Sequence, residues 1–256
     1  MDKDTQRVDF GLEQVTPREK ARRVGGVFSS VAERYDLMND LMSLGLHRLL
    51  KRITVEMSGV RQGHNVLDLA GGTGDFSVHY APLVGSSGKV VLADINRAMT
   101  ERGRDRLLDE GLVDVAVCQA NAEQLPFATG SFDCVTIGFG LRNVTDKDRA
   151  LREMHRVLRP GGRLLVLEFS KVHNPLLDAA YTAFQALWPA IGRVVTGDAA
   201  SYRYLVESIR VFPDQKALKQ MIEDAGFAQS GYDDLMDGVV AVHHATKAPT
   251  DVAARS

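Results

Sequence analysis

Between Asp68 and Asp75 the chain places two carboxylates, three glycines and a threonine in eight positions, DLAGGTGD. An apolar run that ends in an acidic residue and breaks into glycines is a place where backbone can approach a ligand without a Cβ in the way. Gly71, Gly72 and Gly74 supply that approach and Thr73 adds a hydroxyl. Asp94 closes the next apolar run, KVVLAD, twenty positions after Gly74. A carboxylate there can accept hydrogen bonds from both hydroxyls of a ribose. Asn121 opens NAEQLPF after the third run. Its side chain and the backbone N–H of Ala122 suit the amino and ring-nitrogen edge of adenine, and Leu125 and Phe127 suit the face of the base. The plainer alternative for Asn121 is a residue that turns the chain. Taken in order, these residues fit an adenosyl group, borne by NAD or by S-adenosylmethionine.

The two ligands differ in charge. GTGDFS, 72 to 77, misses the dinucleotide fingerprint GxGxxG by a serine in the last place. A pyrophosphate needs an unobstructed helix N-terminus, where Asp75 would repel it. The ammonium and sulfonium of S-adenosylmethionine suit Asp68 and Asp75. The expected cofactor-binding residues are Gly72, Thr73, Asp94, Asn121 and Ala122.

Short apolar runs alternating with amphipathic stretches must position these groups. NVLDLA, KVVLADI, VDVAVCQA, FDCVTIGFG and GRLLVLEFS read as strands. FSVHYAPLV, RAMTERGRDRLLDEG and DKDRALREMHRVL read as the helices between them. That alternation predicts parallel strands with crossover helices, a doubly wound α/β fold whose ligands lie beyond the strand carboxyl ends. The turn RPGG precedes the fifth strand. Two strands near 228–235 and 238–247, split by Asp237 and Gly238, predict an antiparallel edge hairpin. TPRE at 16 to 19 is a capping box with proline at the first helical position, and Gly25 and Gly26 are expected to interrupt the helix it starts. GLHRLLKRITVEM carries apolar residues at helical spacing. The resulting division is a helical cap over 1–60, a core domain over 61–247 with a helical insertion near 175–212, and a tail.

Bulk properties exclude several classes. With 256 residues and 45% hydrophobic content, the chain can bury one sizeable core. A net charge of −2 offers no long-range pull on a polyanion, so nucleic acid is not expected as a partner. Cys118 and Cys134 lack metal-like spacing and read as reduced core thiols, and no signal peptide is evident, which points to the cytoplasm. Leu176 to Val195 is nearly as long as a membrane span, but Asp178, Gln185, Pro189 and Arg193 interrupt it. His243 and His244 alternate across a strand, so no shared metal is expected. His47 reads as a packing or capping residue.

VLDLAGGTGD, ADIN, NAEQLPF and RVLRPGGRLLVLEFS together resemble a class I S-adenosylmethionine-dependent methyltransferase, a Rossmann-like fold with a mostly parallel seven-stranded sheet. YDLMNDLMSLGLHRLL, 35 to 50, and RVLRPGGRLLVLEFS, 156 to 170, resemble the paired signatures of the ubiquinone/menaquinone biosynthesis C-methyltransferases. FGLRNVTD at 139 to 146 matches that family's segment after the fourth strand. The resemblance runs from about Val27 to Lys247. Leu50, Gly138 and Arg159 depart from it, standing where the family commonly has tryptophan, a cofactor-contacting serine and lysine.

The resemblance implies methylation of a ring carbon in demethylmenaquinol, in a polyprenyl methoxybenzoquinol, or in both. It implies that Arg142, Asn143 and Tyr35 line the quinol site. A free phenol has a pKa of about 10, so a protein must favour the ionised ring to raise its nucleophilicity at neutral pH. Arg142 can hold a developing phenolate by charge and hydrogen bonds, and Asn143 can orient the ring or a water. The alternative for Arg142 is an ion pair with Asp146 or Asp148. Tyr181, Phe184, Leu187, Trp188 and Ile191 in the insertion are candidates for the wall that shields a prenyl tail. The implied partner is the prenylated quinol, with peripheral contact at the inner membrane, a quinone-biosynthesis complex and a homo-oligomer left open. Two other readings share the cofactor residues: a methyltransferase for another small phenol or lipid, and a non-catalytic subunit of a biosynthetic complex.

Overall fold

Pro17 and Thr16 start the first helix as their types dictate. The computed structural model describes residues 7–31, 39–40, 42–43 and 45–249. Before that helix the chain forms a hairpin not anticipated from sequence, β1 (Val8–Phe10) against β2 (Glu13–Val15). Strands this short show no readable alternation. A distant contact helps to hold them, with Phe10 stacked on Tyr204 at 4.3 Å between ring centroids. In α1 (Pro17–Val31) the backbone N–H of Glu19 donates to Thr16 Oγ1 at 3.2 Å. The helix runs unbroken through Gly25 and Gly26, contrary to the expected interruption. Glycine costs a helix about 1 kcal/mol but removes no hydrogen bond. Asn96 Nδ2 donates to Gly25 O and to Ser29 Oγ, both at 3.1 Å, tying that turn to the core. Next comes α2 (Leu46–Ser58), bounded by Gly45 and Gly59 in the left-handed region.

The seven-stranded sheet follows the expected pattern. Strands β3 (Asn65–Leu69), β4 (Lys89–Asp94), β5 (Ala116–Gln119), β6 (Phe132–Gly138) and β7 (Leu158–Phe169) are parallel. Helices α3 (Asp75–Val84), α4 (Arg97–Asp109) and α5 (Lys147–Val157) cross between them. The RPGG turn appears as an irregularity inside β7, where the register with β6 shifts. After β7 come two inserted helices, α6 (Pro175–Thr196) and α7 (Ala199–Val211), then α8 (Gln215–Asp224). The edge hairpin β8 (Ala228–Leu235) and β9 (Val240–Thr246) is antiparallel, giving the order β5-β4-β3-β6-β7-β9-β8.

Helices cover both faces of the sheet, which is why its central strands are apolar on both sides, with Val66, Leu67, Leu69, Val135, Ile137 and Leu164 all buried. Strand order reverses between β3 and β6, and the crevice beyond their carboxyl ends is where this topology leaves room for a ligand. Cys118 and Cys134 are both free thiols. Among the described residues no helix is long and apolar enough to cross a membrane, and no cluster of residues could hold a metal ion.

Candidate active site

At the switch point lies a cavity of about 430 Å³ whose lining includes Gly72, Asp94, Asn121, Ala122, Gly138 and Asn143. Asp94 sits at the end of β4. Its Oδ2 accepts from the Gly72 N–H at 3.1 Å and its Oδ1 from the Asn96 N–H at 2.8 Å. Burial raises its pKa above the ordinary value, and the backbone donors of Asn96 and Gly72 oppose that rise. The Ile95 N–H bears on the carboxylate as well, which leaves at least one of its roughly four lone-pair sites open. Asn121 turns the chain and also faces the cavity. Its Oδ1 accepts from the Glu123 N–H at 2.9 Å, closing a turn, while the residue lines the cavity. Glu123, not singled out from sequence, accepts from Thr145 and Asp146 N–H, both at 3.1 Å, and so ties this loop to the one after β6. Thr73 is buried and is not among the residues lining the cavity.

The two loop carboxylates turn away from this cavity. Asp75 pairs with Lys51 and with Arg106 Nη1, the latter at 2.6 Å. Burial alone would raise its pKa, but Lys51 and Arg106 hold it well below the usual carboxylate range. A carboxylate so neutralised neither awaits a ligand's cation nor repels a phosphate, which removes the argument that sequence reading built on it. Asp68 lies fully buried beneath the glycines, where a Cβ on Gly71 would stand 2.8 Å from its Cγ. Its Oδ2 accepts from the N–H and Oγ of Ser77 at 2.9 and 2.7 Å, while Oδ1 has no partner. Burial pushes its pKa up to about 7 despite the Ser77 bonds.

A second cavity of about 220 Å³ adjoins the first, and Gly138 and Phe139 line both. Its wall is aromatic, with Phe139, Phe169, Tyr181, Phe184 and Trp188. Of the insertion residues expected there, Leu187 is exposed on the outer face of α6 and Ile191 packs beside Trp188. Arg142 reaches this cavity from a single 3₁₀ turn, Leu141–Asn143. Its Nη1 donates to Glu168 Oε1 and Oε2 at 3.1 and 3.2 Å and to Phe139 O, and its guanidinium lies 5.5 Å from the Phe169 ring centroid. The partner is therefore Glu168 on β7, while Asp146 instead caps α5 by accepting from Arg149 N–H at 2.9 Å. Arg142 Nε is buried and unpartnered. Asn143 lines the first cavity and its Oδ1 accepts from Tyr204 OH at 3.1 Å. Tyr35 lies outside the described residues. The structure thus brings Arg142 and Asn143 to the crevice with Asp94, Asn121, Ala122 and Gly72.

Ala70 and Phe139 have φ of 51° and 55°, a left-handed conformation uncommon outside glycine, and both line the first cavity. Strain of this kind is stored where surrounding structure over-determines it. The residues that depart from the family pattern have local explanations. A Cβ at Gly138 would fall 2.4 Å from Phe76 Cε2, so the ring of Phe76 occupies the space a serine would need. Leu50 lines the second cavity, where an indole would take volume. Arg159 pairs with Asp133 at 2.7 Å, and neither residue lines a cavity described above. His47 and Lys51 also line the second cavity. The signal in the sequence that points to the first of them is its place inside the segment YDLMNDLMSLGLHRLL.

A model of the ubiE/COQ5 methyltransferase family matches residues 15–247. The chain belongs to that family. The ubiquinone/menaquinone biosynthesis C-methyltransferase UbiE of Cellvibrio japonicus is 60% identical over 240 residues, spanning 93% of this chain and 96% of that protein. The protein of the same description from Teredinibacter turnerae is 58% identical over 247 residues, 96% of this chain and 99% of its own. Among solved structures, a SAM dependent methyltransferase from Aquifex aeolicus superposes with a TM-score of 0.61 at 17% identity, covering 82% of this chain and 97% of that one. At that identity the superposition speaks for the fold, which is the Rossmann-like fold of these methyltransferases.

Proposed function

We propose that the chain transfers a methyl group from S-adenosylmethionine to a ring carbon of a polyprenyl quinol in ubiquinone and menaquinone biosynthesis. The observation that carries this reading is the pair of joined cavities. The larger is lined by Asp94, Asn121 and Ala122, and at Gly138–Phe139 it meets an aromatic-rich cavity with Arg142 in its wall. A volume of about 430 Å³ lies within the range of about 300–1,000 Å³ typical of small-ligand pockets. S-adenosylmethionine supplies a methyl group already activated on sulfonium.

What the chain supplies is placement and charge control. Asp94 offers its remaining acceptor capacity to the ribose hydroxyls, and Gly72 stands back for want of a Cβ. Asn121 and the Ala122 N–H face the purine edge, while Thr73 is buried within the glycine loop. Arg142, neutralised by Glu168, offers the free Nε–H to a developing phenolate rather than a bare charge. Asn143 lines the first cavity and orients the ring, a task we also assign to Tyr35. The aromatic side chains exclude water, so the hydrogen bonds to the oxygen act in a medium of low dielectric.

On α6, Leu176, Leu187 and Val194 are exposed at intervals of eleven and seven residues, a single stripe on the outer face. We place that stripe against the inner membrane, so that a tail passes between bilayer and cavity. Calorimetry with S-adenosylmethionine and mass spectrometry of the quinone pool after deletion test the reading. The expected results are saturable binding and an intermediate lighter by one methyl group. An unchanged pool in a cell with no second enzyme of this kind would refute it.

A further inference from the structure

The aromatic cavity contains a base that the reading above does not use. His47, on α2, is only 6% exposed and lines the cavity. Its Nε2 lies 2.8 Å from Asp40 Oδ1. Asp40 also accepts from Arg48 Nε at 3.0 Å and Nη2 at 2.6 Å, so it is an ionised acceptor and His47 Nε2 must be the donor. This fixes the tautomer. The lone pair is on Nδ1, and Nδ1 is buried without a hydrogen-bond partner.

A buried acceptor left without a partner is destabilising, and a ligand hydroxyl would relieve it. Two unpartnered buried donors belong to the same cavity, Arg142 Nε and Trp188 Nε1. One acceptor and two donors in a largely apolar enclosure match a ring hydroxyl that gives up a proton and leaves an oxyanion.

The other charged or titratable groups facing the cavity are poorly suited to take that proton. Lys51 is engaged with Asp75 and Arg142 with Glu168. A guanidinium does not deprotonate. Burial pushes the Tyr181 phenol up to about 12, which keeps it a donor. Asp75 and Glu168 do not line the cavity. On the far side of the imidazole stand Asp40 and Arg48.

We infer that His47 is the general base of the methyl transfer, accepting the quinol hydroxyl proton at Nδ1, with Asp40 as its positioning residue. The inference rests on the quinol reading. The O–H bond breaks, an N–H bond forms, and the electron pair stays on oxygen, from which it raises the electron density of the adjacent ring carbon. When that carbon has taken the methyl group it loses its own hydrogen as the one proton the reaction releases, and the imidazolium returns its proton to the oxygen. A general base of this kind typically contributes about 10²–10⁴-fold.

The test uses the full chain and its variants His47→Asn and Asp40→Asn with S-adenosylmethionine and a short-chain demethylnaphthoquinol. We expect kcat to fall about 10²-fold or more in His47→Asn, with S-adenosylmethionine binding unchanged. The decline of kcat in acid should disappear in that variant, and in Asp40→Asn, where the tautomer is released, it should move. ¹⁵N NMR of the imidazole supplies a readout independent of turnover. A dead-end naphthalenediol with no free ring carbon should shift the Nδ1 resonance of the wild type and leave Nε2 protonated. Should His47→Asn fail to fold, Asp40→Asn and the NMR titration decide alone. A wild type that turns over the quinol while His47→Asn keeps its rate and acid limb overturns the inference. So does an Nδ1 resonance that ignores the diol. A wild type that binds S-adenosylmethionine yet leaves the quinol unmethylated fails earlier, and sinks the quinol reading itself.

Discussion

Replacing Asp68 by asparagine should flatten the pH dependence of stability. Asp68 is fully buried, with one oxygen held by Ser77 and the other unpartnered, and its pKa rises from 3.8 to about 7. In the unfolded chain the carboxyl loses its proton near the lower value; in the folded protein it keeps it until the higher one. Between the two, the folded state holds a proton that the unfolded state lacks, so stability falls as pH rises through that window and levels off above it. At 1.36 kcal/mol per pH unit, the full window is worth about 4 kcal/mol, of which about 2–3 kcal/mol falls between about pH 5 and 8. Asparagine keeps the shape and an acceptor for both Ser77 bonds but does not titrate. Urea unfolding of both proteins across that range measures the difference directly. The wild type should lose about 2–3 kcal/mol relative to Asp68→Asn on going from the acid to the alkaline end. Parallel profiles would show that Asp68 ionises normally in the fold, and the account of a carboxylate stranded under the glycine loop would be wrong.

Other outcomes follow from the same geometry. Gly138→Ser should destabilise by about 1–3 kcal/mol because its Cβ meets Phe76, and adding Phe76→Leu should restore the melting temperature; a loss that Phe76→Leu does not relieve would exclude that contact as the cause. Arg142→Met should cost about 3–5 kcal/mol by stranding Glu168, whereas Arg142→Met with Glu168→Gln should recover most of the stability and none of the methylation; recovered turnover would remove Arg142 from the reaction. Trp188 is 1% exposed, so its replacement would damage the core. Phe184→Ser is the cleaner probe, and should lower kcat/KM for a long-tailed quinol more than for a tailless one; equal losses would separate Phe184 from the tail.

Much of the fold was legible because its determinants are local. Strands such as Val66 to Leu69 are short, mostly apolar runs with glycines soon after them, and the crossover helices are amphipathic stretches of ten or more residues between them. Period and punctuation are properties of neighbouring residues, so a reader of the chain sees them. The same holds for Asp94 and Asn121, each placed by being the last residue, or the next but one, after such a run. The β1–β2 hairpin and the unbroken α1 were not legible, since the first leans on Tyr204 and the second on Asn96, both far along the chain.

Sequence by itself determined the order of strands and helices, the glycine loop, and which carboxylate and amide stand at the crevice. Tertiary structure alone decided how the charges are spent. Asp75, expected beside a ligand cation, is claimed by Lys51 and Arg106, and Arg142 finds Glu168 rather than the nearer Asp146 or Asp148. Lys51 and Asp75 are 24 residues apart and Arg142 and Glu168 are 26. An ion pair forms where side chains converge, and convergence over such separations depends on how helices cross a sheet, which no local spacing encodes.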